Sequence, residues 1–170
     1  MDFLKLAHER YSCRKFSNQV VEQEKIDKII EAGMVAPTAI NAQPFKIWVI
    51  KTQADVEKVA LATPFTFGTS IIFAVGAKKE GAYMRNFDGK NFSEIDASIV
   101  ATHMMLEIHD LGLGTTWVGH FDPVKLKENF PQMSGYEIVA LFPVGYPASD
   151  AVPSDRHEVS KSFEELVEIL

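Results

Sequence analysis

One long apolar helix constrains the fold of this 170-residue chain more than any other stretch. Its periodicity predicts a start at Ser93 and an end at Gly112 or Gly114. Residues at helical spacing form one stripe along this helix: Ile95, Ile99, Thr102, Leu106 and His109. Met104, Met105 and Ile108 widen the stripe. A helix that is apolar on more than one side has to be packed between other elements, so the chain requires a layered fold.

Four segments rich in β-branched and aromatic residues predict the strands of one sheet, and helical periodicities separate them. The predicted strands span residues 45–50, 71–75, 115–118 and 136–144. The predicted helices span residues 3–11, 22–35, 52–62, 93–112 and 123–130, with a last amphipathic turn over 163–170. This order favours an α+β sandwich around a modest sheet, folded as a single domain over residues 1–170. The polar residues 78–92 predict a long mobile loop.

The composition excludes several classes of protein. The net charge of −6 disfavours a general nucleic-acid binder, because neutralising phosphates needs a basic surface. Cys13 is the only cysteine, so neither an intrachain disulfide nor a cysteine-rich metal site is possible. Charges near the start interrupt a signal peptide's apolar core, and the longest apolar run, residues 71–77, is too short to cross a bilayer. We expect a cytoplasmic protein that engages neither nucleic acid nor a membrane.

A short basic stretch, Arg10-Tyr11-Ser12-Cys13-Arg14, is a candidate anion site. In an extended backbone, side chains two positions apart share a face, so Arg10, Ser12 and Arg14 would point the same way. Two guanidinium groups and a hydroxyl suit a phosphate monoester, because the planar arginine fork matches phosphate oxygens. Spacing alone favours the alternative of a solvated basic turn.

Three other patterns carry less weight. Gly112 and Gly114 look like part of a dinucleotide-binding fingerprint, but they follow a helix and lead into a strand, so a glycine helix cap is the better interpretation. His103 and Glu107 share a helix face without a second pair of ligands, which disfavours a metal site. Cys13 has no assigned base, and the serines lack the glycines of a nucleophile elbow, so neither thiol nor serine catalysis is predicted.

Taken together, four stretches resemble the FMN-dependent nitroreductase family in order and spacing, and indicate a short-chain member. They are Arg10-x-Ser12-x-Arg14, Ala36-Pro37-Thr38-Ala39-x-Asn41-x-Gln43-Pro44, residues 111–119 followed by Phe121-Asp122, and Gly145-Tyr146-Pro147 with Arg156 beyond it. The resemblance implies a nitroreductase-like α+β sandwich, with a central mixed or antiparallel sheet of about four to five strands flanked by helices. It also implies an intertwined homodimer with two FMN molecules at the subunit interface.

The resemblance assigns FMN contacts to three groups of residues. The phosphate and ribityl chain would be held by Arg10, Ser12, Arg14 and Arg156. The isoalloxazine would be contacted from the partner subunit by Pro37, Thr38, Ala39 and Asn41. The backbone beside the reactive ring, with an N–H near N5, would come from Trp117, Val118, Gly119 and His120. Three arginines would neutralise the phosphate, and a glycine would let the main chain approach the ring.

For activity, the resemblance implies an FMN-dependent NAD(P)H oxidoreductase that reduces nitroaromatics, quinones or similar small-molecule acceptors by ping-pong hydride transfer. NADH or NADPH would be the donor, and because the cofactor supplies the chemistry, no catalytic residue and no metal are assigned. Two alternatives use the same fold: a flavin reductive dehalogenase or ene-type reductase, and a non-catalytic flavin-binding or redox-sensing protein. The most remote alternative is a phosphate-ligand binding module that lacks flavin.

Three regions depart from the family pattern. Several members place Asn and Lys near the pyrimidine edge of the flavin, where this chain has Ala-Thr-Pro-Phe-Thr-Phe at residues 62–67. The chain is short where longer members insert substrate-covering segments, and the 78–92 loop is the counterpart. Ser154 stands where a second basic residue is common, which leaves Arg156 to act alone. The candidates for stacking on substrate are Phe65, Phe67, Tyr83 and Phe87.

Overall fold

Residues 2–170 of the protein are described by a computed structural model. The helices are α1 (Phe3–Glu9), α2 (Gln23–Met34), α3 (Gln53–Ala60), α4 (Ser93–Asp110), α5 (Pro123–Asn129) and α6 (Phe163–Leu166). The strands are β1 (Phe45–Ile50), β2 (Ile71–Ala77), β3 (Gly114–Thr115) and β4 (Glu137–Gly145). Short 3-10 turns occur at Ala39–Asn41, Pro131–Met133 and Asp155–Glu158.

Within residues 2–170, the four strands form one antiparallel sheet in the order β1-β2-β4-β3. All residues of β2 are buried, which explains why its sequence is continuously apolar instead of alternating. A Cβ on Gly76 would lie 2.7 Å from Trp48 Cζ3, so glycine is what lets the Trp48 ring pack over β2. The predicted α+β class with an antiparallel sheet is confirmed, while the intertwined dimer stays a prediction.

α4 is buried on more than one side, as its sequence predicted. Its residues that are 0% exposed are Ala97, Val100, Ala101, Met104 and Ile108. α2 packs on one side of α4, where a Cβ on Gly33 would lie 3.0 Å from Met104 Cγ. The sheet packs on another side through Phe73. The opposite face of the sheet carries a second core with Val59 of α3 and Leu126 of α5. The long helix and the sheet therefore divide the interior into two apolar layers.

Several elements begin or end one or two residues away from the predicted bounds, and two of these differences bear on the site. α1 ends earlier, at Glu9, because Arg10 is already extended (φ −64°, ψ 126°). The third strand covers Gly114–Thr115 instead of residues 115–118. After this strand the chain leaves β4 and returns to it at Val118, which forms an isolated bridge with Leu141. The residues between these two contacts are thereby free to line a cavity instead of continuing the sheet.

The 78–92 loop contains an isolated bridge between Met84 and Asn91 and no helix or longer strand. Over residues 2–170, no helix combines the length and the apolar character needed to cross a membrane. The same described residues contain no group of three or more His, Cys, Asp or Glu side chains arranged to hold a metal ion.

Candidate functional site

The basic stretch at residues 10–14 runs extended beside the end of the sheet. Ser12 forms a parallel bridge with Thr115, and the Cys13 N–H donates to the Thr115 carbonyl at 2.9 Å. Cys13 is buried, and a Cβ on Gly114 would lie 2.7 Å from the Cys13 Cβ. β3 therefore fixes where the side chains of this stretch emerge, and the backbone has the conformation that the alternating pattern requires.

A cavity of about 200 Å³ opens where the basic stretch meets the residues after β3. It is lined by Arg14, Phe65, Phe67, Thr116, Trp117, Val118, Gly119 and His120. A Cβ placed on Gly119 would meet no atom within 4 Å, so the backbone at this position faces open space. The structure thus brings together one set of residues predicted to contact a cofactor: Arg14, Trp117, Val118, Gly119 and His120.

Residues 114–120, which we call the anchored segment, are held to β4 at several positions between Gly114 and Val118. Thr115 Oγ1 donates to the Pro143 carbonyl at 2.8 Å. Val118 and Leu141 exchange backbone hydrogen bonds of 2.9 and 3.0 Å, and the Trp117 indole also donates to a β4 carbonyl. None of these seven positions has a positive φ. The directions of the backbone N–H groups are therefore set by the sheet without backbone strain.

An aromatic wall closes one side of the cavity. The Phe65 ring lies 5.7 Å from the His120 ring, edge to face, and 5.9 Å from the Phe67 ring. Thr63 Oγ1 donates to the His120 carbonyl at 2.7 Å and so ties this wall to the anchored segment. Phe67 has a φ of 53°, which an aromatic residue seldom adopts. Sequence reasoning missed Thr63, because a threonine in a turn carries no pattern until its partner is known.

Arg10 lies in a different cavity from Arg14. This second cavity, of about 90 Å³, is lined in part by Arg10, Tyr11 and His109. Burial lowers the pKa of the His109 imidazole; the Glu9 carboxylate opposes this effect and the charge of Arg10 reinforces it. Burial also raises the pKa of the Tyr11 phenol. The predicted phosphate cradle is therefore divided between two neighbouring cavities within this chain.

The guanidinium groups show where an anion could bind. Of the four arginines in the sequence, Arg85 is paired with Asp88. Within residues 2–170, the other three, Arg10, Arg14 and Arg156, have no carboxylate within 4.0 Å. Guanidinium groups without an internal counter-ion, in a chain of net charge −6, are suited to an anionic ligand.

The tail brings Arg156 close to the basic stretch. Arg156 lies in the 3-10 turn Asp155–Glu158. Its neighbour His157 has Nε2 at 3.2 Å from the His8 carbonyl, and its ring lies edge-on to Tyr11 with the centroids 6.4 Å apart. Because this turn packs on the residues just before and within the 10–14 stretch, Arg156 belongs to the same side of the molecule as Arg10.

Residues 38–43, which we call the strained loop, line neither of these two cavities. Ile40, Asn41 and Gln43 have φ of 50°, 55° and 50°. Each such conformation costs a non-glycine residue about 1–3 kcal/mol, and a β-branched residue adopts it least readily. Ile40 is also 78% exposed. The residues predicted to contact the isoalloxazine from the partner subunit therefore do not line the cavity beside the anchored segment of their own chain. They are Pro37, Thr38, Ala39 and Asn41.

A buried carboxylate beneath the strained loop was not predicted. Asp96 of α4 is 1% exposed, and its Oδ1 accepts the Ala39 N–H at 2.9 Å. Its Oδ2 is buried and has no hydrogen-bond partner among the described residues. A signal was available in the sequence, since Asp96 precedes Val100 and Met104 at four-residue spacing along a buried stripe. A carboxylate in such a stripe needs a buried partner.

Comparison with known proteins identifies the type of protein. A model of the nitroreductase family matches residues 7–67 and 58–146. A solved nitroreductase family protein from Clostridium difficile 630 has a TM-score of 0.91 at 33% identity, covering 99% of this chain and 98% of that chain. The fold and the sequence together define a nitroreductase-type α+β protein. The chain belongs to the nitroreductase family.

Two further relatives differ more in sequence. A protein from Methanothermobacter thermautotrophicus, named as an NADH dehydrogenase/NAD(P)H nitroreductase, is 28% identical over 159 residues, which are 88% of this chain and 80% of that protein. A protein from Exiguobacterium sibiricum 255-15, named as a nitroreductase and solved in complex with FMN, has a TM-score of 0.85 at 19% identity, covering 100% of this chain and 98% of that chain. At this identity the second likeness shows the fold alone.

Proposed function

We propose that this protein is an FMN-dependent NAD(P)H oxidoreductase that reduces nitroaromatics, quinones or similar small-molecule acceptors. The observation that carries the proposal is the cavity beside the anchored segment, where Arg14 meets the open backbone at Gly119. The name of the Methanothermobacter relative and the FMN complex of the Exiguobacterium neighbour support it. So does a relative from Staphylococcus epidermidis that is named as an NADPH-dependent oxidoreductase.

The residues around the cavity fit FMN in charge and shape. A phosphate dianion needs cations that have no internal counter-ion, and Arg10, Arg14 and Arg156 meet this condition within residues 2–170. A flat ring needs main chain that it can approach without a side chain in between, as at Gly119. The aromatic wall at residues 63–67 adds an apolar surface at the same cavity.

In this proposal the phosphate and ribityl chain are bound by Arg10, Ser12, Arg14 and Arg156. When bound, FMN supplies the hydride chemistry between NADH or NADPH and the acceptor, in a ping-pong cycle. The ring is oriented by the backbone of Trp117, Val118, Gly119 and His120. The Val118 N–H already donates to the Leu141 carbonyl of β4. Because this bond fixes the backbone, the neighbouring N–H of Gly119 would need little reorganisation to face developing charge. Phe65 and Phe67 exclude water from the cavity, and no side chain has to act as an acid or base.

The proposal includes a homodimer in which the strained loop reaches the partner's cavity. An apolar groove of about 750 Å³ lies between α1, α2 and α4. Phe3 and Val35 on its walls are 63% and 71% exposed, and burial raises the pKa of Glu107 beside them. Apolar surface of this extent is typical of a protein interface. A homodimer would also account for the exposed Ile40 and for a strained loop that lines neither cavity of its own chain.

The experiment that tests this function is a visible absorption spectrum of the purified protein with FMN, followed by anaerobic NADH or NADPH. We expect a flavin spectrum that bleaches with the nicotinamide and recovers when a nitroaromatic or quinone is added. Sedimentation of the same sample should give twice the chain mass. Because NADH and NADPH are cytoplasmic metabolites, the proposal also assigns the protein to the cytoplasm.

Each other result of this experiment contradicts part of the proposal. A protein that binds FMN but does not bleach with either nicotinamide is a flavin-binding or redox-sensing protein, not a reductase. A protein that bleaches but is reoxidised only by halogenated or activated-alkene substrates belongs to the dehalogenase or ene-reductase type. A protein that takes up no FMN refutes the cofactor assignment.

A further inference from the structure

Asp96 joins the buried helix α4 to the strained loop through one hydrogen bond. Its Oδ1 accepts the Ala39 N–H at 2.9 Å, and the residue is 1% exposed. Ala39 directly precedes Ile40, whose φ of 50° and ψ of 20° begin the left-handed part of the loop. A side-chain oxygen that accepts a backbone N–H gives that donor the partner it would have in a helix or strand. Asp96 therefore holds the loop at the residue where its unusual backbone starts.

The other hydrogen bonds of the strained loop are local. Thr38 Oγ1 accepts the Gln43 N–H at 3.1 Å, and the Thr38 carbonyl accepts the Asn41 N–H at 2.9 Å. Asn41 Oδ1 accepts from Gln43 Nε2 at 3.0 Å. The Gln43 carbonyl accepts the N–H of Phe45, the first residue of the adjoining strand β1, at 2.9 Å. Within the described part of the chain, the bond to Asp96 is the one that ties residues 38–43 to an element distant in sequence. Left-handed backbone at consecutive positions persists only where the surroundings determine it, so this bond is decisive.

The second carboxylate oxygen indicates that Asp96 is present for the loop and not for the stability of α4. Oδ2 is buried without a hydrogen-bond partner among residues 2–170. A buried oxygen of this kind destabilises the folded state, and an apolar residue of similar volume would avoid this cost. An apolar residue could not supply the hydrogen-bond acceptor that Oδ1 provides for the Ala39 N–H.

We propose that Asp96 is a positioning residue for flavin binding. By accepting the Ala39 N–H, it presents the strained loop in the conformation that contacts the isoalloxazine in the partner's cavity. This inference rests on the proposed function, in which residues 37–41 meet the flavin across the dimer. Asp96 itself does not line the cavity and acts through the loop.

Three variants separate the hydrogen bond from the charge and from the packing. Asp96→Asn keeps an oxygen acceptor and the same shape, but removes the charge. Asp96→Val removes the acceptor and still fills the buried space, so it keeps the protein folded where a smaller residue would leave a cavity. Glu94→Ala is the matched control, because it removes an exposed carboxylate from the same first turn of α4.

Two measurements on the full-length protein test the proposal. Hydrogen–deuterium exchange of the segment 37–44, without FMN, reports on the bond itself. Titration with FMN measures how the loss of this bond changes the affinity for FMN, and thermal unfolding shows whether each variant is folded. For Asp96→Val we expect about tenfold faster exchange and about tenfold weaker FMN binding, without a lower melting temperature. Asp96→Asn and Glu94→Ala should stay within about twofold of the unchanged protein in both measurements.

The opposite results refute the proposal in distinguishable ways. Unchanged exchange in Asp96→Val shows that the carboxylate does not hold the loop. Faster exchange with unchanged FMN affinity shows that the loop does not help to bind flavin. Asp96→Asn behaving like Asp96→Val shows that the charge matters and the acceptor does not. An unchanged protein that binds no FMN refutes the proposed function, whereas the exchange measurement still reports whether Asp96 holds the loop.

Discussion

The anchored segment and the strained loop are built by opposite means, although both are proposed to meet the same flavin. The anchored segment is bonded to β4 at Thr115, Trp117 and Val118, and its backbone is unstrained. The strained loop contains left-handed residues, projects Ile40 into solvent and depends on the buried carboxylate of Asp96. One segment takes its shape from the sheet, and the other takes it from a few hydrogen bonds that balance backbone strain.

The difference shows how each segment can serve a site between subunits. The anchored segment keeps its N–H directions whether or not a partner is present, which suits preorganised contacts to the reactive part of a ring. The strained loop stores free energy that contacts across an interface can offset, because its exposed apolar side chain has no cover within the described residues. We therefore expect substitutions at packed positions of the anchored segment, such as Gly114, to lower stability, whereas a substitution at its open position Gly119 should change FMN binding with little change in stability.

The largest effect should come from Gly114→Ala in the anchored segment. The new Cβ would lie 2.7 Å from Cys13 Cβ and 2.8 Å from Cys13 Sγ. We expect the free energy of unfolding to fall by about 2–3 kcal/mol, since β3 and the basic stretch must move apart. Urea denaturation measures the free energy of unfolding of each variant. Gly135→Ala is the control, because its Cβ would meet nothing within 4 Å. Equal stability of the two variants would contradict the tight packing of the anchored segment.

Arg14→Ala should weaken FMN binding by about tenfold or more, because a buried or half-buried phosphate or ring oxygen loses a charge-assisted hydrogen bond. The proposed dimer should stay intact. Lys15→Ala is the matched control, since the neighbouring cation is already paired with Asp150 at 2.7 Å. Fluorescence titration with FMN compares the two. Full flavin occupancy in Arg14→Ala would remove Arg14 from the proposed site.

Gly119→Ala should separate binding from stability within the anchored segment. The space around this position is open, so we expect the free energy of unfolding to change by no more than about 0.5 kcal/mol. If a flavin occupies that space, the added methyl group should weaken FMN binding by about fivefold. Gly135→Ala again provides the comparison. An FMN affinity equal to that of Gly135→Ala would show that the ring does not approach Gly119.

The smallest effect should come from Ile40→Gly in the strained loop. Glycine adopts the left-handed backbone without steric cost, so the free energy of unfolding should rise by about 0.5–1 kcal/mol. Val20→Gly is the control, since Val20 is 77% exposed and has no positive φ. In that variant the greater flexibility of glycine should lower stability slightly. Thermal unfolding of both variants measures the difference, and a loss of stability in Ile40→Gly would refute the strain in this loop.

Much of the fold was readable from local patterns. The bounds of β1 were predicted at Phe45 and Ile50, because aromatic and β-branched residues fill that stretch and Pro44 precedes it. α4 was predicted because its apolar residues recur on more than one face. The short length of β3 was not predicted, since after Thr115 the chain is held to β4 by tertiary contacts such as the bond from the Trp117 indole to the Val139 carbonyl, which no local pattern reveals.

The sequence by itself determined the types of residue at the candidate site: the arginines, the glycine-containing segment and the loop between Pro37 and Pro44. Their motifs are local, and the order and spacing of these motifs along the chain carry the family resemblance. The tertiary structure decided which of them meet. It placed Arg14 with Gly119, set Arg10 in a second cavity, and put Asp96 beneath Ala39. These juxtapositions join residues far apart in the chain, and only the packing of α4 and the sheet brings such residues together.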